Sequence, residues 1–162
     1  MLASCLNELN ASREREGAAL AGDVASILEE VERAVNAIAA LRDQVLPHFQ
    51  ARLRERLTDL LGGTAISETR IIEEAAFLAD KSDIQEELTR LTVHTRELRR
   101  ILEAGGEIGK RLDFLLQEIS REANTTLAKS AAAGEPGLQI TNLGLTIKAN
   151  IERMREQALN FE

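Results

Sequence analysis

From Leu6 to Leu46 apolar residues run at helical spacing, and Pro47 interrupts the run. Leu20, Val24, Ile27, Leu28, Val31, Val35, Ile38 and Leu41 share one stripe of a helix with 3.6 residues per turn. Some 40 residues of helix span about 60 Å at 1.5 Å per residue, more than a compact domain of this size is wide. Such a helix must lay further long helices along its stripe or give the stripe to another subunit. The expected fold class is therefore all-α: an elongated, coiled-coil-like arrangement of long antiparallel helices, assembled as a homo-oligomer.

The rest of the chain keeps the same period, and no strand pattern or internal repeat occurs. Pro47 predicts the end of the first helix, because proline lacks an N–H and crowds the residue before it. His48 then reads as a boundary residue opening a second helix that stops near Gly62-Gly63. Ser67 opens a third helix with Ile71, Ile72, Ala75, Ala76, Phe77 and Leu78 as its apolar positions. Asp83 with Glu86 three residues on has capping-box spacing, and its helix should end at Gly105-Gly106. Another helix covers Lys110 to Ser130, a loop covers Ala131 to Leu138 around Gly134, Pro136 and Gly137, and a last helix starts near Thr141. These elements divide into an arm, residues 1–81, and a C-terminal helical domain, residues 82–162.

Composition agrees. Hydrophobic residues make up 44% of the 162, yet aromatics only 2% and prolines two, which suits layers of Leu, Ile, Val and Ala on long helices. One cysteine, Cys5, excludes an internal disulfide framework and reads as a small apolar filler in a reducing, cytoplasmic setting. No apolar run approaches the roughly 20 residues of a membrane span, and the first residues lack a secretory pattern. Without secretion, the sequon at Asn124 has no meaning. A net charge of −7 argues against indiscriminate phosphate binding, and no DNA partner is expected. The acid is concentrated early: residues 1–81 carry nine basic and fourteen acidic residues, residues 82–129 eight and nine. An anionic partner would therefore sit on the second half.

That half holds the polar residues that apolar periodicity does not explain. On the helix after Asp83, Glu87, Arg90 and His94 step by three and four, and Glu97 lies one turn on. On the next helix Asp113, Gln117 and Arg121 fall four apart, as do Glu118 and Glu122 on a neighbouring stripe. A histidine with carboxylates one and two turns away can direct imidazole nitrogen and carboxylate oxygens at one divalent ion. Phosphodiester cleavage would use such an ion together with cations to steady the phosphate, here Lys110, Arg111, Arg121 and Lys129. The same spacings equally describe a salt-bridged helical face. There is no phosphate-cradling glycine loop, zinc spacing or Ser-His-Asp order.

REREG at Arg13–Gly17, DKSDIQEELTRLTVH at Asp80–His94, GKRLDFLLQEISREANTTLAKS at Gly109–Ser130 and ERMREQALNFE at Glu152–Glu162 together resemble the YicC-like family of bacterial, stress-induced endoribonucleases. The resemblance covers essentially the whole chain and corresponds to the C-terminal half of a family member, with the family's N-terminal domain absent. It implies a cytoplasmic metal-dependent endoribonuclease that assembles around RNA as a ring, hexameric in the full-length family, with no membrane partner. Carried onto this sequence, the family's motif positions fall on Glu87, Arg90 and His94, then on Asp113, Gln117, Glu118, Arg121, Glu122 and Asn124, with Lys129 beyond. The implied division makes Glu87, His94, Asp113, Glu118 and Glu122 ligands of Mg²⁺ or Mn²⁺, with His94, Glu118 and Glu122 catalytic. Arg90, Arg121 and Lys129 would contact phosphate, joined by Lys110 and Arg111 from the reading of the residues above, and Gln117 and Asn124 would hydrogen-bond RNA. Ala131-Ala132-Ala133-Gly134-Glu135-Pro136 departs from the family, which there carries an Asn-Asp pair and a further acid. A non-catalytic oligomerisation or RNA-binding module, or a structural coiled-coil partner, remains the alternative reading.

Overall fold

The computed structural model describes residues 2–61, 67–106, 108–131 and 133–158; of residues 2–14, 16, 18 and 61 it describes the backbone alone. Cys5 therefore lies outside the described side chains. Among the described residues the chain is all-α, with six helices and no strand: α1 Leu2–Arg42, α2 Val45–Leu61, α3 Glu68–Lys81, α4 Gln85–Ala104, α5 Gly109–Ser130 and α6 Gly134–Ala158.

Four of them form a closed antiparallel bundle in the order α1, α4, α5, α6. Ion pairs and hydrogen bonds fix each neighbour's direction. Glu32 of α1 accepts from Nε and Nη2 of Arg99 in α4, at 3.2 and 2.7 Å. Glu87 of α4 meets Lys129 near the far end of α5. The Ser130 and Thr141 hydroxyls meet at 3.4 Å across α5 and α6. Asn150 of α6 donates to Glu30 of α1 at 3.1 Å, closing the ring of neighbours. Helices α2 and α3 fold back on one another as an insert between α1 and α4, touching the bundle through α2 and α6. At its base Arg42 donates to Asp83 at 3.1 Å, tying the end of α1 to the start of α4.

The stripe on α1 does what its period requires. Val24, Leu28, Val31, Val35 and Ile38 are buried against Leu91, Leu98, Ile101, Leu112, Leu116, Ile119, Ile140, Ile147 and Ile151. Burying one such side chain stabilises the fold by about 1.5–3 kcal/mol. One core cluster thus takes residues from both sides of position 82. Gly144 lets α5 and α6 approach closely: a Cβ there would stand 2.8 Å from a Leu127 methyl.

Three boundaries differ from the sequence expectation, two of them for one reason. α1 ends at Arg42, and Pro47 falls inside the first turn of α2; α6 begins at Gly134, with Pro136 in its first turn. A first turn has no intrahelical partner for its N–H groups, so proline is tolerated there as well as after a helix. His48 is consequently within α2, its Nε2 buried without a protein partner and 2.2 Å from where a Cβ of Gly134 would stand. The third difference is the capping box. The Asp83 carboxylate accepts from the Gln85 N–H at 3.1 Å, but its own N–H goes to Asp80 and Glu86 turns to Arg90 instead. The glycine stop of α4 is as expected: Gly105 and Gly106 both have positive φ, and the Gly105 N–H bonds Ile101 at 3.2 Å.

Candidate metal centre and nucleic-acid interface

The three-and-four spacing of Glu87, Arg90, His94 and Glu97 makes one stripe on α4, and the antiparallel register sets it against Lys129, Glu122, Glu118 and Arg111 of α5. Apolar residues seat both helices: Leu91 and Leu98 from α4, Leu115, Ile119 and Ala123 from α5 are buried beside this stripe. The polar rows therefore form a seam at the edge of the core, where charges are partly removed from water.

Along the seam acid meets base. Glu87, 6% exposed, is held by Lys129 Nζ at 2.8 Å through Oε1, while its buried Oε2 has no protein partner. Arg90 donates to Glu122 Oε1 at 3.2 Å and to Glu86 with its other Nη. Glu122 is 4% exposed, so that guanidinium is its access to positive charge. The bond to Glu122, followed by the field of Glu86, raises the Arg90 pKa above its ordinary value and keeps it charged. At the other end Glu97 accepts two bonds of 2.7 Å from Arg100 and one of 3.1 Å from Arg111. Arg100 first, and then Arg111, hold the Glu97 carboxyl below the ordinary carboxylate range.

Between these pairs His94, Glu118 and Glu122 converge. One ligand atom from each lies within 4.8 Å of the others, with His94 and Glu118 half-buried and Glu122 buried. Donors sharing one ion at 2.0–2.2 Å stand at most about 4.4 Å apart, so a small rotamer adjustment closes the set. An imidazole with two carboxylates suits a borderline or hard divalent ion and leaves positions for water or a phosphate oxygen.

Not every residue expected at a metal joins this group. Glu87 is engaged by Lys129 one end along, and Asp113 lies on an exposed row where it accepts from Gln117 at 2.8 Å. Gln117, Arg121 and Asn124 are exposed beside it, and Lys110 and Arg121 carry no ion pair among the described residues. Sequence reasoning missed Glu86 as a seam residue: its spacing to Asp83 masked the equally regular four-residue step to Arg90.

The C-terminal model of the endoribonuclease YicC-like family matches residues 38–162. A probable endoribonuclease YicC of Clostridioides difficile is 34% identical over 158 residues, 97% of this chain and 52% of its own length. Its counterpart in Haemophilus influenzae is 34% identical over 157 residues, again 97% of this chain and 52% of its own. The chain thus spans about half the length of these curated relatives. Both α4 and α5, and with them the whole seam, fall inside the matched region, and the chain belongs to the YicC-like endoribonuclease family, as its C-terminal part.

Proposed function

We propose that this chain is the RNA-cleaving helical part of a YicC-like endoribonuclease, hydrolysing internal phosphodiester bonds at the α4–α5 seam with Mg²⁺ or Mn²⁺ held by His94, Glu118 and Glu122. The observation that carries this reading is the convergence of those three ligand atoms from two helices. A divalent ion there supplies Lewis-acid polarisation of a phosphate oxygen and neutralises charge developing in the transition state. The remaining work falls to the chain. Glu122, buried and ion-paired, serves as ligand only; half-buried Glu118, which solvent can reach, would ligate through one oxygen and take a proton from an attacking water or hydroxyl with the other. Arg90 and Lys129 flank the group on one side, Arg111 on the other, and Lys110 and Arg121 extend the cationic border on the exposed face of α5. Those five would hold the RNA backbone, with Gln117 and Asn124 as hydrogen-bonding partners. Glu87 and Asp113 take supporting parts, Glu87 by anchoring Lys129 and Asp113 by orienting Gln117.

The test is cleavage of an internally labelled single-stranded RNA by this chain with Mn²⁺ or Mg²⁺. Internal cuts that need the ion, and that vanish in His94→Ala and Glu118→Gln while circular dichroism is unchanged, support the proposal. Intact RNA with a salt-sensitive gel shift supports a binding module instead.

A further inference from the structure

Arg90 occupies a position at odds with a simple metal site. Its Nη1 lies 3.2 Å from Oε1 of Glu122, one of the three converging ligands, and its other Nη is bonded to Glu86. Glu122 is almost wholly buried, and a carboxylate taken out of water without a partner is strongly disfavoured. A divalent ion at Glu122 and the Arg90 guanidinium satisfy the same need. Two cations seeking one carboxylate bind antagonistically, and the antagonism is reciprocal. Glu86 gives Arg90 somewhere to go: it is exposed, one helical turn back on α4, and already bonded to the same guanidinium. Half of the Arg90 side chain is open to solvent, and its other Nη is already on Glu86, so the shift needs only its tip to move.

We propose that Arg90 is the resident counter-cation of the His94–Glu118–Glu122 group: it neutralises Glu122 until a divalent ion binds there, then withdraws to Glu86. This rests on the metal-site reading above and assigns Arg90 a positioning role within it. Released from Glu122, the Nη1 of Arg90 is open to a phosphate while Glu86 keeps the other Nη, so ion and RNA bind cooperatively.

Calorimetric titration of Mn²⁺ into the whole chain and into Arg90→Gln separates the possibilities. Removing the competitor tightens Mn²⁺ binding by at least about fivefold, the lower end of ordinary coupling energies. Without the ion Arg90→Gln melts below the wild type, and saturating Mn²⁺ narrows that gap. Glu86→Gln, a surface change that leaves the fold intact, removes the retreat and weakens Mn²⁺ binding. In the wild type the Arg90 Nε–Hε resonance shifts along the Mg²⁺ saturation curve, and in Glu86→Gln, which has no carboxylate to retreat to, it ends at a different position. Equal or weaker Mn²⁺ binding by Arg90→Gln, with the wild type binding normally, overturns the counter-cation role and leaves the metal site standing. Absence of Mn²⁺ binding in the wild type and in Arg90→Gln alike overturns both.

Discussion

The α4–α5 pair and the α2–α3 hairpin are both antiparallel helix pairs built from much the same residues, yet they use charge differently. In the hairpin the Arg54–Glu68 pair, 3.4 and 2.8 Å across its two bonds, is exposed on both sides. Large apolar side chains there also face outward: Ile72 is 50% and Phe77 54% exposed, with Lys81 over the Phe77 ring at 4.2 Å. In α4–α5 the partners of Lys129 and Arg90 are buried carboxylates, and three ligand atoms converge next to the Arg90 pair. The hairpin shows what charge pairing across two helices amounts to on a surface. The seam shows what the same pairing becomes when two helices press it against a core: charges lose water as a competitor and acquire fixed partners.

The largest contrast should appear in packing. Leu116→Ala, in the bundle beneath the seam, is expected to cost about 2–5 kcal/mol in denaturant unfolding. Ile72→Ala in the hairpin should cost about 0.5 kcal/mol or less. Comparable losses would erase the distinction between bundle and insert. Next in size is the buried carboxylate. Lys129→Met leaves Glu87 without its cation and should destabilise by about 1–3 kcal/mol. Adding Glu87→Leu to it should restore most of that loss, since an apolar pair of similar volume replaces a buried ion pair at little cost. Failure of the double variant to recover would mean that the Glu87–Lys129 pair matters to its neighbours and not only to itself.

The smallest effect concerns the exposed pairs, where the two regions should agree. Arg54 holds the Glu68 carboxyl, and Arg100 first holds that of Glu97, below the ordinary value of 4.5. A folded value below the unfolded one contributes stability that is present above pH 4.5 and is lost as the pH falls through the folded value. Melting curves of Arg54→Ala and Arg100→Ala should therefore lie slightly below the wild type at pH 7 and merge with it in acid. Both differences should also shrink in 1 M salt, whose screening length is about 3 Å. A shift that survives high salt would show one of these pairs to be less exposed than its geometry.

How far this contrast can be read from the chain follows from which signals are local. Helix class and the α1 stripe are written in apolar spacing, and the burial of Val24, Leu28, Val31 and Ile38 matches it. Gly105-Gly106 stops α4 because only glycine takes two successive positive φ values without strain. Prolines carry less information: Pro47 and Pro136 suit a first turn as well as a break, so spacing alone placed the starts of α2 and α6 too late. The site is harder still. Spacing aligns Glu87, Arg90 and His94 on one helix, but only the antiparallel register with α5 decides that His94 meets Glu118 and Glu122 while Glu87 meets Lys129. Asp113 shares a period with Gln117 and Arg121 and so went with the exposed row, one stripe away from Glu118. Pairing across helices depends on the packing of the whole bundle, which no local pattern encodes.

The central claim, that the seam and not the hairpin is the cation site, can be tested with substoichiometric Mn²⁺ and side-chain NMR. The ion should broaden the His94 imidazole and the methyl groups of Leu91, Leu115 and Ile119, and leave those of Leu53 and Ile72 sharp. Glu122→Gln should remove the effect, with changes in the metal-free spectrum confined to the surroundings of Arg90. Broadening centred on the exposed acids of the hairpin, Asp59, Glu73 and Glu74, or broadening at the seam that persists in Glu122→Gln, would contradict it.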